Sequence, residues 1–134
     1  MGAGDRLILA PVSAGELIDK ITILEIKAAH IADAQARANV LRELSLLVSL
    51  RDEHGIGPQV AQLTAALAEV NRRLWQVEDD LRACEAEGRF DSAFVELARS
   101  VYLQNDRRAA LKRQVNLLVG SAIVEEKSHF PAKD

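Results

Sequence analysis

The sequence predicts an all-α protein, an elongated antiparallel helical bundle built around a long helical hairpin, with short extended segments near both termini. Between positions 60 and 84, eight apolar residues recur at alternating steps of three and four: Val60, Leu63, Leu67, Val70, Leu74, Val77, Leu81 and Cys84. This spacing keeps one narrow face of a helix against another helix, as in a coiled coil. Gly88 and Asp91 leave only a short link to the next helical segment, so the two long helices fold back on each other.

The N-terminal part predicts an extended segment followed by a capped helix. Residues 6–12 are β-prone and contain Pro11, and residues 122–124 near the other end are β-prone too, so the two could pair. Ser13 and Glu16 have the spacing of a capping box, which places a helix start after Ser13. This first helix has a wide apolar face and is expected to end near residue 32.

The remaining boundaries come from residues that break or cap helices. Helical periodicity weakens at Asp33, resumes at 37 and stops at His54, and Pro58 suits the first turn of the next helix. Gly88 and Gly120 are expected helix ends, and Asp91 an expected cap. The prediction is one domain over residues 1–134, with an extended segment over 6–12, helices over about 14–32, about 37–53, 58–87 and 91–119, and a tail over 120–134.

Composition excludes several classes of function. The 134 residues are 49% hydrophobic, enough for one core, and the net charge of -3 argues against a nucleic-acid binder. The apolar run 7–12 is too short for a membrane span or a signal peptide, and the single Cys84 suits a reduced cytoplasm. His30, His54 and His129 lack metal-site spacing, and no phosphate-loop or nucleophile motif occurs, so we expect no metal and no cofactor.

The fourth helix carries an unusual polar cluster. Its apolar seam comprises Phe94, Leu97, Val101, Gln104, Arg108, Leu111, Val115 and Leu118. Arg108 therefore falls on an apolar face, with Asn105 and Lys112 on the same side. In the first helix, Glu25 lies on the apolar stripe of Ile18 and Ile21. A buried charge is costly unless it is paired, so these positions need partners.

Two interpretations of this cluster stay open. In the structural one, Glu25 or Glu78 forms a buried salt bridge with Arg108 that fixes the helix register. In the functional one, Asn105, Arg108 and Lys112 form an open site for a carboxylate or phosphate, with Glu25, Trp75 and Glu78 nearby. Trp75 then covers a pocket, whereas in the structural interpretation it covers a helix crossing.

Two further polar rows favour solvent-exposed faces. Glu78 and Arg82 are four residues apart in the third helix and are expected to form a surface pair. The first helix presents Glu16, Lys20 and Lys27 along one side, with Asp19 and Thr22 nearby. A solvated face is the simplest explanation of that side.

Several segments together resemble one family. They are the run from Pro11 to Lys27, Leu74-Trp75, Phe90-Asp91, the run from Asn105 to Ala109, and the run from Glu125 to Ser128. They resemble the uncharacterised bacterial family named domain of unknown function 6165, over nearly the whole chain. That family has no established activity, so the resemblance implies a stand-alone bacterial domain and transfers no catalytic residue.

A weaker resemblance connects the chain to the all-helical chorismate mutases, which hold a dicarboxylate with cations from several helices. This sequence has Lys20 and Lys27 where those enzymes use arginines. The heptad seam of the long hairpin leads us to expect a non-catalytic interaction or assembly module of the bacterial cytosol that forms a homodimer. Such a module can bind a protein partner, and we expect no membrane or nucleic-acid partner. The alternative is a protein or enzyme that binds a small anion on the fourth helix.

Overall fold

Four α helices account for the regular structure. In the computed structural model, which describes residues 6–127, they are α1 (Ala14–His30), α2 (Ala34–Glu53), α3 (Ala61–Glu87) and α4 (Ser92–Val119), with a 3-10 turn at Pro58–Val60. The predicted all-α class is confirmed. Residues 6–127 contain no strand, so the two β-prone segments do not pair within that range.

α1 is the central helix of the arrangement. α3 and α4 form the predicted antiparallel hairpin, and α1 packs against both of them. α2 folds back on α1 and contacts no other helix. None of the α2 residues is buried, so α2 forms an outer layer over one side of α1.

The core lies where α1, α3 and α4 meet. Ile18, Val60, Leu67 and Val115 form its buried cluster. At Gly15 the helices come so close that an added Cβ would clash with the Lys112 carbonyl oxygen on α4. Glycine is the residue that permits this approach.

The helix ends follow the predicted capping signals. The Ser13 hydroxyl accepts from the Glu16 amide at 3.0 Å, and the Asp91 carboxylate accepts from the Phe94 amide at 3.2 Å. Gly88 and Gly120 end α3 and α4 with φ of 65° and 68°. Only half of the capping box forms, because the Glu16 carboxylate binds Lys112 on α4.

The boundaries differ from prediction around the α1–α2 turn. α1 ends at His30 instead of near residue 32, and α2 begins at Ala34 instead of near 37. The reason is a cap that the apolar periodicity does not reveal: the Asp33 carboxylate accepts from the Ala36 amide at 2.8 Å. The third helical segment starts at Pro58 as a 3-10 turn, and α3 proper starts at Ala61.

The predicted heptad seam of α3 faces the rest of the protein along its whole length. Val60, Leu67, Val70 and Cys84 are buried, and the other four seam residues are partly buried. The predicted seam residues of α4 are buried or partly buried as far as Val115. Leu118, the last of them, is 57% exposed. Within residues 6–127, no helix has the length and apolar character needed to cross a membrane.

Candidate functional site

The centre of the candidate site is a buried carboxylate on α1. Asp19 has no exposed surface, and Arg108 of α4 binds it side-on. Arg108 Nε lies 3.0 and 3.1 Å from the two Asp19 carboxylate oxygens, and Nη2 lies 2.5 Å from Oδ2. Asn71 of α3 donates to Oδ1 at 2.9 Å. Asp19 therefore joins the three core helices through charged and polar contacts.

The partner of Arg108 differs from both predicted candidates. Glu25 is exposed on α1, and Glu78 is exposed on α3. Asp19, which the sequence placed near a solvated face, makes the ion pair instead. The physical reason is the central position of α1: with α2 on one side and the α3–α4 hairpin on another, helix faces that look polar in sequence also become buried.

One signal in the sequence pointed to this second buried face. It is a row of α1 residues that also steps by four, three and four, and all of its members are buried: Gly15, Asp19, Thr22 and Ile26. Two of the four are polar, so an apolar pattern search passes over the row. Thr22 can be buried in this row because its hydroxyl is fully hydrogen-bonded: it donates to the Asp19 carbonyl at 2.7 Å and accepts from Asn71 at 2.8 Å.

Arg108 keeps part of its hydrogen-bonding capacity for another molecule. A guanidinium carries five N–H donors, and the bonds to Asp19 use those of Nε and one of Nη2. The Nη1 group donates no hydrogen bond within residues 6–127, and the side chain is 29% exposed. The hydrogen bonds to Asp19 raise the pKa of Arg108 above its usual value, so the group stays charged.

Arg108 also lines a groove between α1, α3 and α4. The groove has a volume of about 530 Å³. Its apolar lining is Ile23 and Ile26 of α1, Leu74 and Trp75 of α3, and Val101 of α4. The Trp75 ring also contacts the His30 ring at the end of α1, with ring centroids 4.9 Å apart. An apolar wall beside an oriented cation is a typical small-molecule site.

The polar lining divides into two groups. The first group contains Asn71 and Arg108, which both bind Asp19, and Asn105. The second group is the other charged side chains of the lining: Lys27, Glu78, Asp79 and Arg82. The expected surface pair between Glu78 and Arg82 does not form, and neither residue makes a salt bridge with the described part of the chain. Both signs of charge are thus available in the groove.

Four of the six predicted site residues line this one groove: Asn105, Arg108, Trp75 and Glu78. Lys112 and Glu25 do not line it. Lys112 binds Glu16 at 2.6 Å and Glu125 at 3.3 Å on the N-terminal side of Asp19. Lys20, a further candidate cation, pairs with Glu43 of α2 at 3.2 Å.

Lys112 belongs to a second polar cluster, where residues 121–127 return along α4. Glu125 accepts from the Ser13 hydroxyl at 2.7 Å, and this hydrogen bond is the main cause that lowers the pKa of Glu125. Partial burial disfavours the charge of Lys112, but the hydrogen bond and the charge of Glu16 outweigh it and raise the pKa of Lys112.

Two more ion pairs hold the same segment on α4. Glu126 binds Arg113 at 3.0 Å, and Lys127 binds Asp106. Successive side chains of the segment therefore each contact α4. Asp106 adjoins Asn105, so the segment reaches the neighbourhood of the groove.

The arrangement is suited to binding through hydrogen bonds and charge. Among residues 6–127, no group of three or more His, Cys, Asp or Glu side chains lies where it could hold a metal ion. Cys84 is buried in the helical hairpin as a free thiol.

A family model matches residues 8–132 of the chain, that of a family of unknown function, DUF6165. The match spans nearly the whole chain. The chain belongs to this family. The family resemblance inferred from the sequence is thereby confirmed, and family membership assigns no activity. Neither the curated proteins nor the solved structures contain a match, so no relative adds support to the likeness to chorismate mutases.

Proposed function

We propose that this DUF6165 protein binds a small molecule in the groove between α1, α3 and α4, and that Arg108 receives an anionic group of that molecule. The observation that carries the proposal is that Arg108 lines this groove, with a side chain that is 29% exposed and an Nη1 group that donates no hydrogen bond within residues 6–127. An arginine that is paired on one edge and open on the other offers a carboxylate or phosphate a second fork of N–H donors.

The buried carboxylate of Asp19 supports this proposal. Its hydrogen bonds fix the plane of the guanidinium before any ligand arrives, so binding does not have to order a flexible side chain. Preorganisation of this kind raises affinity because it removes an entropic cost. Asn105 lies on the same side of α4 and lines the groove too, and its amide can donate to the same anionic group.

The rest of the groove indicates what else the ligand carries. Asn71, beside Arg108, and Glu78 are seven residues apart on α3, which corresponds to about 10 Å along the helix axis. Between them lie Trp75 and Leu74. We therefore propose a ligand with an oxyanion at one end and an apolar or aromatic body of about this length.

The function we propose is binding without conversion. The observations that support the proposal, an oriented cation and an apolar wall in one groove, are those of a binding site. The single, buried Cys84 suits the bacterial cytosol that the sequence predicts.

The experiment is calorimetric titration of the full chain with inorganic phosphate, phenyl phosphate and 3-phenylpropionate. We expect at least one of the two aryl anions to bind more tightly than inorganic phosphate. Arg108→Lys can keep a charge beside Asp19 but lacks the second fork, and we expect it to weaken binding at least about tenfold. The matched control is Arg82→Lys, in the lining of the same groove, with a small effect.

Phosphate and carboxylate share the recognition chemistry, and the probes distinguish them. Equal affinity of Arg108→Lys and the wild type, with both still folded by circular dichroism, would overturn the proposal. So would a wild type that binds none of the three probes at millimolar concentration.

A further inference from the structure

A histidine at the end of α1 contacts the aromatic wall of the groove. His30 is the last residue of α1, and its ring lies against the Trp75 ring of α3. The ring centroids are 4.9 Å apart, and the ring planes are tilted by 38°. Trp75 lines the groove, whereas His30 does not. His30 therefore acts on a bound molecule through the position of Trp75 and through its own charge.

The backbone of α1 fixes the position of the His30 ring. Its Nδ1 lies 2.9 Å from the carbonyl oxygen of Ile26, one turn earlier. A carbonyl oxygen only accepts, so Nδ1 carries the donated proton, and Nε2 is the nitrogen that gains a proton when the ring becomes charged. Ile26 also lines the groove. The imidazole ring thus connects two lining residues, one on α1 and one on α3.

We infer that His30 is a positioning residue for Trp75 and that a positive charge on His30 strengthens the binding of an anion in the groove. Histidine is the side chain whose charge changes between pH 5 and pH 8. An indole face attracts a cation, and so does the C-terminal end of a helix. A charged His30 should therefore hold Trp75 more firmly, which leaves the apolar wall better ordered for a ligand. The effect on the ligand rests on the proposed function, whereas the contact between the two rings does not.

Charged groups from all four helices surround this end of α1. Asp33 caps α2, and Arg37 of α2 donates to the Ala28 carbonyl oxygen at 3.0 Å. The others line the groove: Lys27 of α1, Glu78, Asp79 and Arg82 of α3, and Arg108 of α4. Arg108 is neutralised by Asp19. The remaining six groups are three acids and three bases, so their effects on a charged His30 oppose one another, and the indole contact and the helix end favour the charge.

The first experiment measures the fluorescence of Trp75, the only tryptophan of the chain, from pH 8 to pH 5. A charged imidazole in contact with an indole quenches its fluorescence, so the wild type should lose emission along a one-proton titration curve. His30→Phe keeps an aromatic ring but gains no charge, and its emission should stay constant. The matched control is His54→Phe, which should titrate like the wild type. His54 follows the 20 residues of α2, about 30 Å from the end of α1.

The second experiment is calorimetric titration with 3-phenylpropionate at pH 5.5 and at pH 8. The wild type and His54→Phe should bind about threefold more tightly at pH 5.5, the gain that a cation–π contact gives at an exposed site. His30→Phe should bind with the same affinity at both pH values. Thermal melts at both pH values check that each variant is folded. His30→Gln, which lacks the ring and the charge, replaces His30→Phe if that variant unfolds.

Two outcomes would overturn the inference. A fluorescence titration that persists in His30→Phe would have another group as its source. Equal affinity of the wild type at both pH values would show that the charge of His30 does not affect the ligand. The proposed function fails in a different way: 3-phenylpropionate would bind at neither pH, while a fluorescence titration that depends on His30 would still support its contact with Trp75.

Discussion

Asp19 and Arg108 set the properties of this protein at the scale of single residues. A carboxylate with no exposed surface is tolerated because Arg108 and Asn71 supply hydrogen bonds to it. Arg108 therefore has a structural role toward Asp19 and, in our proposal, a binding role toward the groove. The two interpretations that the sequence left open are in this way compatible.

The residue-scale prediction concerns loss of the buried ion pair. In Arg108→Met the Asp19 carboxylate remains buried without its cation, which should lower the free energy of unfolding by roughly 3 to 5 kcal/mol. The measurement is urea denaturation followed by circular dichroism at pH 7. Arg82→Met serves as the control, because Arg82 is exposed and makes no salt bridge within residues 6–127. A loss below about 1 kcal/mol in Arg108→Met would show that the pair is not a major source of stability.

At the scale of helices, α2 differs from the other three. It contacts only α1 and buries none of its residues, whereas α1, α3 and α4 contact one another. Helix stability in proteins comes mainly from packing of an apolar face. α2 should therefore open more easily than the core helices.

This difference predicts the pattern of hydrogen exchange. Amides in the middle of α2 should exchange roughly 10- to 100-fold faster than those in the middle of α1, because local opening of α2 exposes little buried surface. Exchange followed by mass spectrometry or NMR at pH 7 measures this directly. Equal protection in all four helices would contradict it and would mean that α2 is covered by a partner.

At the scale of the whole molecule, the C-terminal segment connects the start of the chain to its end. Glu125 contacts both Ser13 before α1 and Lys112 on α4. Because the pKa of Glu125 is lowered in the folded state, its charge stabilises the fold at neutral pH. This contribution is lost as the pH falls through that lowered pKa.

Removing the charge of Glu125 should therefore change how the stability of the fold decreases at acidic pH. Glu125→Gln is expected to lower the melting temperature at pH 7 and to reduce the further loss between pH 7 and pH 3. The control is Glu25→Gln, since Glu25 is exposed and makes no salt bridge within residues 6–127. Parallel pH profiles for the wild type and Glu125→Gln would show that Glu125 does not contribute to acid sensitivity.

Local signals predicted the helices well because each depends on a few neighbouring residues. The heptad seam of α3, the caps at Ser13 and Asp91 and the ends at Gly88 and Gly120 all appear in the structure. The cap at Asp33 was missed because the apolar pattern resumes only after it. The polar cluster around Arg108 was also visible in the sequence, since a charge within an apolar seam requires a partner.

The sequence by itself determined the class of the fold, the helical hairpin and the presence of a partly buried Arg108. Only the tertiary structure decided that Asp19, and neither Glu25 nor Glu78, receives Arg108, and that Lys112 lies away from the groove. Periodicity identifies the apolar face of a helix, but it cannot say how many sides the neighbouring helices cover. Because α1 is packed on several sides, a polar row of α1 became the centre of the site.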